Sequence, residues 1–367
     1  MKFTTKRDQL LKGLQFVTGV VERRQSLPIL SHVLIRAHNN LLSLVGSDLE
    51  IELTGHAELI ENEQSFETTV SGRKLMDICR TLPENTDICF QLDGTKAAVI
   101  AGKSRFSLVT LPSSDFPLAA FEASGKNVTC LQSDLAALLE STSFAMAQQD
   151  VRFYLNGLFF EANAGSMCSV ATDGHRLAVR KMDFPELTEP TQFILPRKGV
   201  FELLRLLSKD EGKMLSMHIG ANAIRLESDT FTFVSRLIEG KFPDYRRVIP
   251  QGGNKKALVD RDTLKHALAR AAILTNEKYH AVRLNFSPGI LLITATNTEQ
   301  EEAKEEISMN YEGEPLEMGF NVNYLLDVLS AVPSGDVIFT LSNADNSVLI
   351  YSEALEKAQF VIMPMSL

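Results

Sequence analysis

The chain has 367 residues, more than one compact core usually holds, so its length indicates two or three domains. Hydrophobic residues make up 44% and charged residues 23% of it, which excludes a disordered or collagen-like protein. The formal net charge of −9 argues against a uniformly basic surface, so any nucleic-acid site depends on where the charges lie.

No segment reaches the roughly 18 apolar residues of a membrane span, and residues 1–12 lack the apolar centre of a signal peptide. The sequence therefore predicts a cytoplasmic protein without membrane contact. The cysteines form no CxxC pair, which is typical of reduced thiols in a protein core. Neither a metal-ligand spacing of histidines nor a phosphate-binding or dinucleotide motif is present, so we expect no metal site and no cofactor.

A pattern recurs along the chain with a period near 125 residues, which favours a triplicated domain. Each block opens on a short strand and a capped amphipathic helix, continues with two strand-like runs and a second helix, and closes on two more strand runs. The capping-type residues of the first helices are Asp8, Ser133 and Asp262. The acidic residues of the second helices recur 125 residues apart, at Asp77, Glu202 and Asp327.

These repeats predict an α+β fold of three similar domains, each with two helices packed on antiparallel sheet. The domains are expected at residues 1–125, 126–253 and 254–367. Gly, Ser and Asn residues typical of short linkers occur near both boundaries.

The predicted domains differ in net charge, which is −2 for the first, 0 for the second and −7 for the third. The acidic excess lies mainly in residues 299–306, whereas the first domain carries a basic edge at Lys96, Lys103 and Arg105. Opposite charges at the two ends permit head-to-tail association, which closes into a ring when the rotation allows it. Two unrelated solvent-exposed strands would carry the same charges, and both interpretations stay open.

Basic residues also cluster on the predicted helices. Arg73 and Arg80 lie seven residues apart on one helical face, and Arg205 occupies the repeat position of Arg80. No base-reading module accompanies them, so a nucleic-acid contact here would be to phosphate and indifferent to sequence. Ordinary exposed helix faces would show the same pattern.

Two strings carry candidate chemistry. Asp173 and His175 lie two residues apart, as a base and its orienting partner would in a phosphoesterase. The pair Asp173-Gly174 is also a hairpin signal. The other repeats have no histidine at that position, which favours a turn or a binding surface. The apolar run 360–367, with two methionines beside Pro364, predicts adaptable surface for partner peptides or an inward-packed edge strand.

Several strings, spread in order over all three predicted domains, are specific to one family. They are MKFTTKRDQLLKGL, LPIL, RFSLVTLP, DVRFYLNGLFFE, VATDGHRLAV, PRKGV, FPDYRRVIP, ARAAILTNEK and VIMPM. Through them the chain resembles the bacterial DNA polymerase III beta subunit family of sliding clamps. The resemblance implies DNA-clamp domains that form a head-to-tail dimeric ring, with helices lining a central hole for duplex DNA.

The resemblance also implies a set of partners and no catalytic residues. The partners are double-stranded DNA irrespective of sequence, a second copy of the chain, the DNA polymerase III catalytic subunit, the clamp loader complex, other polymerases, ligase and mismatch-repair proteins. The proteins would bind through short linear motifs.

Three sets of site residues follow from the resemblance. The implied DNA-contacting residues are Arg24, Arg73, Arg80, Gln149, Phe153, Tyr154, Arg197 and Lys198. The implied dimer interface joins Lys74, Lys103, Arg105, Phe106 and Leu108 of one subunit to Ile273, Leu274, Glu299, Glu301, Glu302 and Glu305 of the other. The implied partner-peptide pocket comprises Arg152, Leu155, Thr172, Gly174, His175, Arg176, Leu177, Pro243, Arg247, Val248, Tyr279, Asn321, Tyr324, Ser347, Val361, Ile362, Met363, Pro364 and Met365.

Three positions depart from the family pattern. Phe153 stands where tyrosine is common, so it offers a ring for stacking but no hydroxyl for phosphate. Lys304 interrupts the acidic run, which removes one ion pair from the implied interface. Ser366 replaces a basic residue near the implied pocket.

Three hypotheses of different kinds result. The first is a non-catalytic processivity factor that encircles DNA and raises the local concentration of its partners. The second is a phosphoesterase that uses Asp173 and His175, and the third is a scaffold that oligomerises without binding DNA. Hydrolysis that is lost in His175→Ala would favour the second, whereas lost peptide binding would favour the first.

Overall fold

The computed structural model of the chain describes residues 1–21, 27–119, 125–210, 212–253 and 255–366. Three successive stretches share one order of elements: a strand, a helix, four or five strands, a second helix and three strands. The predicted repeat and the α+β class are therefore confirmed. Within the described residues, no helix is both long enough and apolar enough to cross a bilayer.

The bounds of the elements follow in chain order. The first stretch contains β1 (Lys2–Lys6), α1 (Arg7–Val17), β2 (His32–His38), β3 (Leu41–Ser47), β4 (Ile51–Glu58), β5 (Glu61–Asn62), β6 (Phe66–Ser71), α2 (Gly72–Thr81), β7 (Asp87–Asp93), β8 (Lys96–Ala101) and β9 (Ser104–Leu111). The second contains β10 (Lys126–Leu131), α3 (Gln132–Thr142), β11 (Gly157–Asn163), β12 (Ser166–Thr172), β13 (Arg176–Asp183), β14 (Thr191–Pro196), α4 (Arg197–Leu206), β15 (Met214–Ile219), β16 (Ala223–Glu227) and β17 (Phe231–Arg236). The third contains β18 (Lys255–Asp260), α5 (Arg261–Ala272), β19 (Ala281–Ser287), β20 (Ile290–Thr296), β21 (Glu302–Ser308), β22 (Leu316–Asn321), α6 (Val322–Ala331), β23 (Asp336–Leu341), β24 (Val348–Tyr351) and β25 (Ala358–Ile362).

The number of strands differs from the prediction. The sequence predicts two strand runs after each helix, whereas the structure has at least four after the first helix and three after the second. One of the missed strands, β21, is polar, and Ile307 is its one buried residue. A strand with so little apolar surface has the composition of a solvated loop, so hydrophobic alternation does not reveal it.

The described chain forms two compact units, each of which combines parts of two repeats. The first unit contains Met1–Ser133 and Phe201–Leu237, and the second contains Asp134–Val200 and Ile238–Leu367. In the first unit one sheet has the strand order β10-β15-β16-β17-β4-β3-β2-β6-β9-β8-β7-β1-β5. In the second unit a larger sheet has the order β14-β11-β12-β13-β25-β24-β23-β18, and a smaller sheet has the order β21-β20-β19-β22.

Each larger sheet crosses from one repeat into the next by antiparallel pairing. In the first unit β17 pairs with β4, with Phe231 opposite Gly55. In the second unit β13 pairs with β25, with Leu177 opposite Val361. Backbone hydrogen bonds therefore join successive repeats within each unit.

Helix α1 illustrates how the helices pack on the sheets. Leu10, Leu14 and Val17 are fully buried, at the spacing of one helical face. The helix crosses β4 so closely that a Cβ on Gly55 would lie 2.7 Å from the carbonyl oxygen of Gly13. The crossing therefore requires glycine at position 55.

Aromatic packing in the second unit anchors the segment that leads into the third repeat. Phe242 stacks on Phe159 of β11 with ring centroids 4.7 Å apart, and Tyr245 lies edge-on to the same ring at 6.5 Å. Cys168 belongs to this core, and burial raises the pKa of its thiol. The segment 242–249 is thereby held against the sheet, where it forms one wall of a cavity.

The helix caps lie at other residues than predicted. The predicted capping residues Asp8, Ser133 and Asp262 each occupy the second position of their helix. In α5 the cap is Asp260, whose carboxylate accepts a hydrogen bond from the Thr263 backbone N–H at 2.8 Å. The strand β18 runs directly into the helix, so the cap is the last residue of the strand.

We expect Asp260→Ala to lower the free energy of unfolding by about 1 kcal/mol, because an N–H of the first turn loses its acceptor. Asp260→Asn keeps an acceptor and should remain within about 0.5 kcal/mol of the wild type. Urea unfolding at neutral pH measures both. The bonds from Thr263 lower the pKa of Asp260, so the effect of the Ala variant is full above the unfolded value of about 3.9 and is lost as the pH falls through the lower folded value. Equal stabilities at neutral pH would contradict the cap.

Candidate functional site

A cavity of about 210 Å³ opens in the second unit beside the hairpin of β12 and β13. Its walls come from the hairpin turn, the segments 152–155 and 243–248, and the end of β25. The lining residues are Arg152, Tyr154, Leu155, Thr172, Gly174, His175, Arg176, Leu177, Pro243, Asp244, Tyr245, Val248, Ser347, Val361 and Met363.

Asp173 fixes the turn that forms one wall. Its carboxylate accepts hydrogen bonds from the backbone N–H groups of His175 at 2.9 Å and Arg176 at 3.1 Å. Gly174 has a φ of +92°, a left-handed conformation that glycine adopts without strain. Thr172 donates its hydroxyl to the Arg176 carbonyl at 2.6 Å. The Asp-Gly pair therefore forms the predicted hairpin turn.

The Arg176 guanidinium connects three elements of the second unit. Nε donates to Asp173 at 3.0 Å and Nη1 donates to Asp327 of α6 at 2.5 Å. Nη2 donates to the carbonyl oxygen of Phe144 at 2.6 Å, and the group lies 4.4 Å from the centroid of the Tyr324 ring. The side chain is only 11% exposed, so these acceptors replace water. Arg176 therefore braces the cavity wall.

The geometry does not pair Asp173 with the His175 ring as a base and its orienting partner. The described hydrogen bonds of the Asp173 carboxylate come from two backbone N–H groups and from Arg176. The His175 residue is exposed at the edge of the cavity. The carboxylate therefore has a structural role in this turn.

The last described residues connect the two sheets of the second unit. The Met363 N–H donates to the His175 carbonyl at 2.9 Å, and the Met365 N–H donates to the Gly319 carbonyl of β22 at 2.8 Å. Met363 is 45% exposed and lines the cavity. Ile362 is fully buried and points to the strand face opposite Val361. Contrary to the prediction, it therefore does not line the cavity.

A second cavity, of about 680 Å³, adjoins the first and shares His175 and Met363 with it. It lies against β19, β20 and β22. We call the two cavities together the groove. The larger cavity is lined by His175, Lys278, Tyr279, Ala281, Arg283, Thr294, Ala295, Thr296, Asn321, Tyr324, Met363, Pro364, Met365 and Ser366.

Most of the predicted pocket residues line the groove. Those in the smaller cavity are Arg152, Leu155, Thr172, Gly174, His175, Arg176, Leu177, Pro243, Val248, Ser347, Val361 and Met363. Tyr279, Asn321, Tyr324, Pro364 and Met365 line the larger cavity. The two strings TDGHRL and VIMPM, which are distant in sequence, are thus brought together.

Arg247 does not line the groove as predicted. Its side chain is 84% exposed and its Nε donates to Asp244 at 3.0 Å. Sequence reasoning missed Tyr154, Asp244 and Tyr245 of the smaller cavity. The string FPDYRR contains Asp244 and Tyr245, and its aromatic residues were the available signal for Tyr245.

An exposed loop beside the groove carries two of the predicted DNA-contacting residues. The Arg152 guanidinium donates to the Asp150 carboxylate at 2.8 Å and lowers the pKa of that carboxyl to about 2. The Asp150 N–H donates to Asn156 at 2.9 Å, which closes the loop. Gln149 is exposed with a φ of +56°, and Phe153 is 58% exposed. The loop therefore presents both side chains to solvent.

The other predicted DNA-contacting residues of the second unit are less exposed. Arg197 is half-buried, and its Nη1 donates to the Met146 carbonyl at 3.0 Å. Burial lowers the pKa of Arg197. Lys198 is also half-buried, and Tyr154 packs against the core while lining the smaller cavity.

Two predicted DNA-contacting residues of the first unit, Arg73 and Arg80, lie on α2. Arg80 is exposed, with its guanidinium 3.8 Å from the Asp77 carboxylate. Arg73 is half-buried, and its Nε has no hydrogen-bond partner among the described residues. Arg24 lies outside the described residues.

Arg205 does not present its charge to phosphate, although it occupies the repeat position of Arg80. Its Nη1 donates to the Gln15 carbonyl at 3.0 Å and its Nη2 donates to the Phe16 carbonyl at 2.7 Å. These carbonyls belong to the last turn of α1, where helical carbonyl groups lack partners within the helix. The Arg205 guanidinium is therefore engaged by acceptors within the first unit.

Two of the open sheet edges among the described strands, on β9 and β21, carry opposite charge. Residues Ser104–Val109 of β9 pair with β8 on one side only. On the other side, the pairing of β9 with β6 is confined to Thr110 and Leu111. The strand β21 is the outer strand of the smaller sheet and pairs with β20 alone. The open part of β9 carries Arg105, whereas β21 begins with Glu302, so the two edges differ in charge.

The predicted interface residues lie at or near these edges. Lys74, Lys103, Arg105, Ile273, Glu299, Glu301 and Glu302 are exposed, and Phe106, Leu274 and Glu305 are partly exposed. Leu108 is 7% exposed, so its apolar surface is covered within its own chain. Glu305 accepts two hydrogen bonds from Arg270, at 2.8 and 2.6 Å, which compensate its charge.

Three family models for the DNA polymerase III beta subunit match successive parts of the chain: the N-terminal domain at 1–120, the central domain at 129–244 and the C-terminal domain at 246–366. The chain belongs to this family. The beta sliding clamp of Pseudomonas putida is 50% identical over 370 residues and that of Escherichia coli K12 is 46% identical over 367, with 100% of both chains covered in each case. Two solved structures also match over 100% of both chains: the Pseudomonas aeruginosa DNA polymerase III subunit beta, with a TM-score of 0.97 at 48% identity, and Caulobacter crescentus pol III beta, with a TM-score of 0.94 at 34% identity.

Membership in the beta subunit family confirms the predicted fold and the general function. The three family matches agree with the predicted triplication, and the full-length relatives are sliding clamps. The predicted function as a DNA clamp and processivity factor is therefore confirmed at that level. Among the described residues, no three His, Cys, Asp or Glu side chains are grouped as a metal site requires.

We expect Arg176→Lys to lower the free energy of unfolding by about 2 kcal/mol. An ammonium group cannot reach the three acceptors that the planar guanidinium joins, so buried acceptors lose their donors. Urea unfolding of the variant measures the loss. Arg247→Lys is the matched control, because its exposed side chain should change stability by less than about 0.5 kcal/mol. Indistinguishable urea midpoints for the two variants would contradict the brace.

Proposed function

We propose that two copies of the chain associate head to tail into a ring that encircles duplex DNA and tethers replication and repair proteins through the groove. The observation that carries the proposal is the opposite charge of two open sheet edges among the described strands, basic on β9 and acidic on β21. Open edges of opposite charge suit pairing with a second copy, which removes both edges from solvent. Membership in a family of sliding clamps supports the same assembly.

The domains of each subunit are proposed at residues 1–125, 126–253 and 254–367. The recurring order of elements supports these bounds, as do the three successive family matches. Each domain contributes two helices and a share of a sheet that continues into a neighbouring repeat.

The interface joins the basic edge of one subunit to the acidic edge of the other. Exposed ion pairs contribute about 0 to 1 kcal/mol each, so they mainly set the register. Burial of Phe106 and of Ile273, which is 77% exposed, supplies most of the stabilisation. The proposed residues are Lys74, Lys103, Arg105, Phe106, Leu108, Ile273, Leu274, Glu299, Glu301, Glu302 and Glu305.

The DNA contacts are to phosphate and are indifferent to sequence. Exposed Gln149 and Phe153 on their loop suit a passing duplex, and the resemblance gives the same role to the remaining predicted residues. A duplex that is enclosed needs no tight binding, so a formal net charge of −9 is compatible with this function. The proposed residues are Arg24, Arg73, Arg80, Gln149, Phe153, Tyr154, Arg197 and Lys198.

The groove receives short linear motifs of partner proteins. An apolar cavity with a few convergent polar groups suits the Leu and Phe side chains that anchor such peptides. The braced turn at Arg176 gives the smaller cavity a fixed wall, and the half-exposed Met363 gives it an adaptable one. The partners proposed are the DNA polymerase III catalytic subunit, the clamp loader complex, other polymerases, ligase and mismatch-repair proteins.

No catalytic chemistry and no cofactor enter this function. Asp173, the candidate base, is engaged by backbone N–H groups and by Arg176. The proposed place of action is the cytoplasm, where bacterial DNA lies.

A topological test addresses the proposal directly. Protein loaded onto nicked circular DNA by a clamp loader and ATP should stay bound through gel filtration and should leave when one restriction cut linearises the circle. Enclosure predicts this loss because a ring slides off a free end. Retention on linear DNA would contradict encirclement, and failure to form a dimer in solution would favour the scaffold hypothesis.

Met363→Ala should weaken the binding of a partner peptide roughly tenfold, because it removes apolar contact from both cavities of the groove. Fluorescence anisotropy of a labelled peptide from a polymerase measures the affinity. Met214→Ala is the matched control, because Met214 is 54% exposed on β15 outside the groove. Sedimentation should show unchanged dimerisation in both variants. An unchanged peptide affinity in Met363→Ala would exclude Met363 from the site.

A further inference from the structure

Arg205 joins the second repeat to the first within one unit. Its guanidinium donates to the carbonyl oxygens of Gln15 at 3.0 Å and Phe16 at 2.7 Å in the last turn of α1. Glu202, one turn earlier on α4, accepts from the same guanidinium at 2.8 Å and orients it. A helix end in one repeat is thus capped by an acid–arginine pair of the next.

The first repeat carries the same acid–arginine pair 125 residues earlier. Asp77 and Arg80 have the same spacing on α2 that Glu202 and Arg205 have on α4. The Asp77 and Arg80 side chains are 70% and 53% exposed, and 3.8 Å separates their charged atoms. Among the described contacts, the Arg80 guanidinium reaches no helix end. Asp77 and Arg80 therefore resemble the Glu202–Arg205 pair, but without the helix end to which Arg205 donates.

The third repeat offers a helix end of the matching kind. The buried residues of α5 follow those of α1 at a constant distance of 254 residues: Leu10, Gly13, Leu14 and Val17 correspond to Leu264, Ala267, Leu268 and Ala271. By the same offset, Gln15 and Phe16 correspond to Ala269 and Arg270. The residue after the end of α5, Ile273, is 77% exposed.

The two helices also begin alike. Nε of Arg7, the first residue of α1, donates to the Cys79 carbonyl at 2.7 Å. Nε of Arg261, the first residue of α5, donates to the Leu329 carbonyl at 2.7 Å. The equivalence of α1 and α5 therefore rests on contacts at their starts and on burial along their length.

We propose that Arg80 of one subunit donates hydrogen bonds to the Ala269 and Arg270 carbonyl oxygens at the end of α5 in a second copy of the chain, with Asp77 orienting the guanidinium. This inference rests on the head-to-tail dimer of the proposed function. It assigns Arg80 to the subunit interface and removes it from the DNA-contacting set. A cation at the carboxyl end of a helix is favoured by the helix dipole. The Arg270 carbonyl already accepts from the Ile273 N–H at 3.2 Å, and its second lone pair can accept from a guanidinium.

The side chains at the two joints differ in a compensating way. A Cβ on Gly19 would lie 2.5 Å from Glu202 Oε2, so a side chain at this position would displace the acid from its place beside Arg205. The 254-residue offset places Ile273 at the position of Gly19, where a side chain must fit. The acidic residue that faces it is Asp77, one methylene shorter than Glu202. The shorter acid therefore provides space for the larger residue.

The contact also continues the interface already proposed. Lys74 lies on α2 with Arg80, and Ile273 directly follows α5. Both belong to the interface residues that the resemblance implies. A second copy is therefore the partner that fits the exposed acid–arginine pair.

The test compares two arginines of one helix in the absence of DNA. Sedimentation equilibrium of full-length protein should show a dimer dissociation constant at least tenfold higher for Arg80→Gln, because two charge-assisted hydrogen bonds are lost at each interface. Arg73→Gln removes the same charge from the same helix and should leave the constant within about twofold. Arg80→Lys should recover only part of the affinity, because an ammonium lacks the planar fork. Circular dichroism of Arg80→Gln should match the wild type, because Asp77 is the described partner of the Arg80 guanidinium within its own chain.

Equal dissociation constants for Arg80→Gln and the wild type would overturn the assignment. Reduced retention on circular DNA in Arg80→Gln, with the dimer unchanged, would return Arg80 to the DNA-contacting set. A wild-type protein that is monomeric at all concentrations would instead overturn the ring itself, so the two failures are distinguishable.

Discussion

Backbone pairing across repeats is the constraint on which the rest of this structure depends. A domain of two helices and antiparallel strands leaves sheet edges whose N–H and carbonyl groups must find partners. In the first unit β17 covers the edge of β4, and in the second unit β25 covers the edge of β13. Apolar packing accompanies this pairing, because Val361 of β25 belongs to the same buried cluster as Leu177 of β13.

Arginines also connect successive repeats within each unit. The acidic position that recurs every 125 residues is Glu202 in the second repeat and Asp327 in the third. Glu202 holds Arg205 against the end of α1, and Asp327 holds Arg176 against the hairpin of the second repeat. A guanidinium can satisfy several acceptors at fixed angles, which an ammonium cannot. The recurrence of the acid therefore reflects its role in orienting an arginine.

Sequence patterns predicted those features that depend on local residues and failed where tertiary contacts decide. The triplication and the Asp173-Gly174 turn are local and were predicted correctly. Polar strands such as β21 were missed, because their partners and not their composition make them strands. Arg205 appears exposed on a helical wheel, yet its guanidinium donates to the Phe16 carbonyl at the end of a helix of the preceding repeat. The strand face on which Ile362 lies likewise depends on a register that composition alone does not set.

The groove is a consequence of the joint between the second and third repeats. Because β25 pairs with β13, the chain after Ile362 must cross the top of the braced hairpin before Met365 reaches β22. The backbone bonds of Met363 and Met365 hold this crossing at its two ends. The apolar side chain of Met363 borders both cavities, and those of Pro364 and Met365 border the larger one. The same backbone pairing that joins two repeats therefore also positions an adaptable apolar surface beside a rigid polar turn, a combination suited to short peptides of varied sequence.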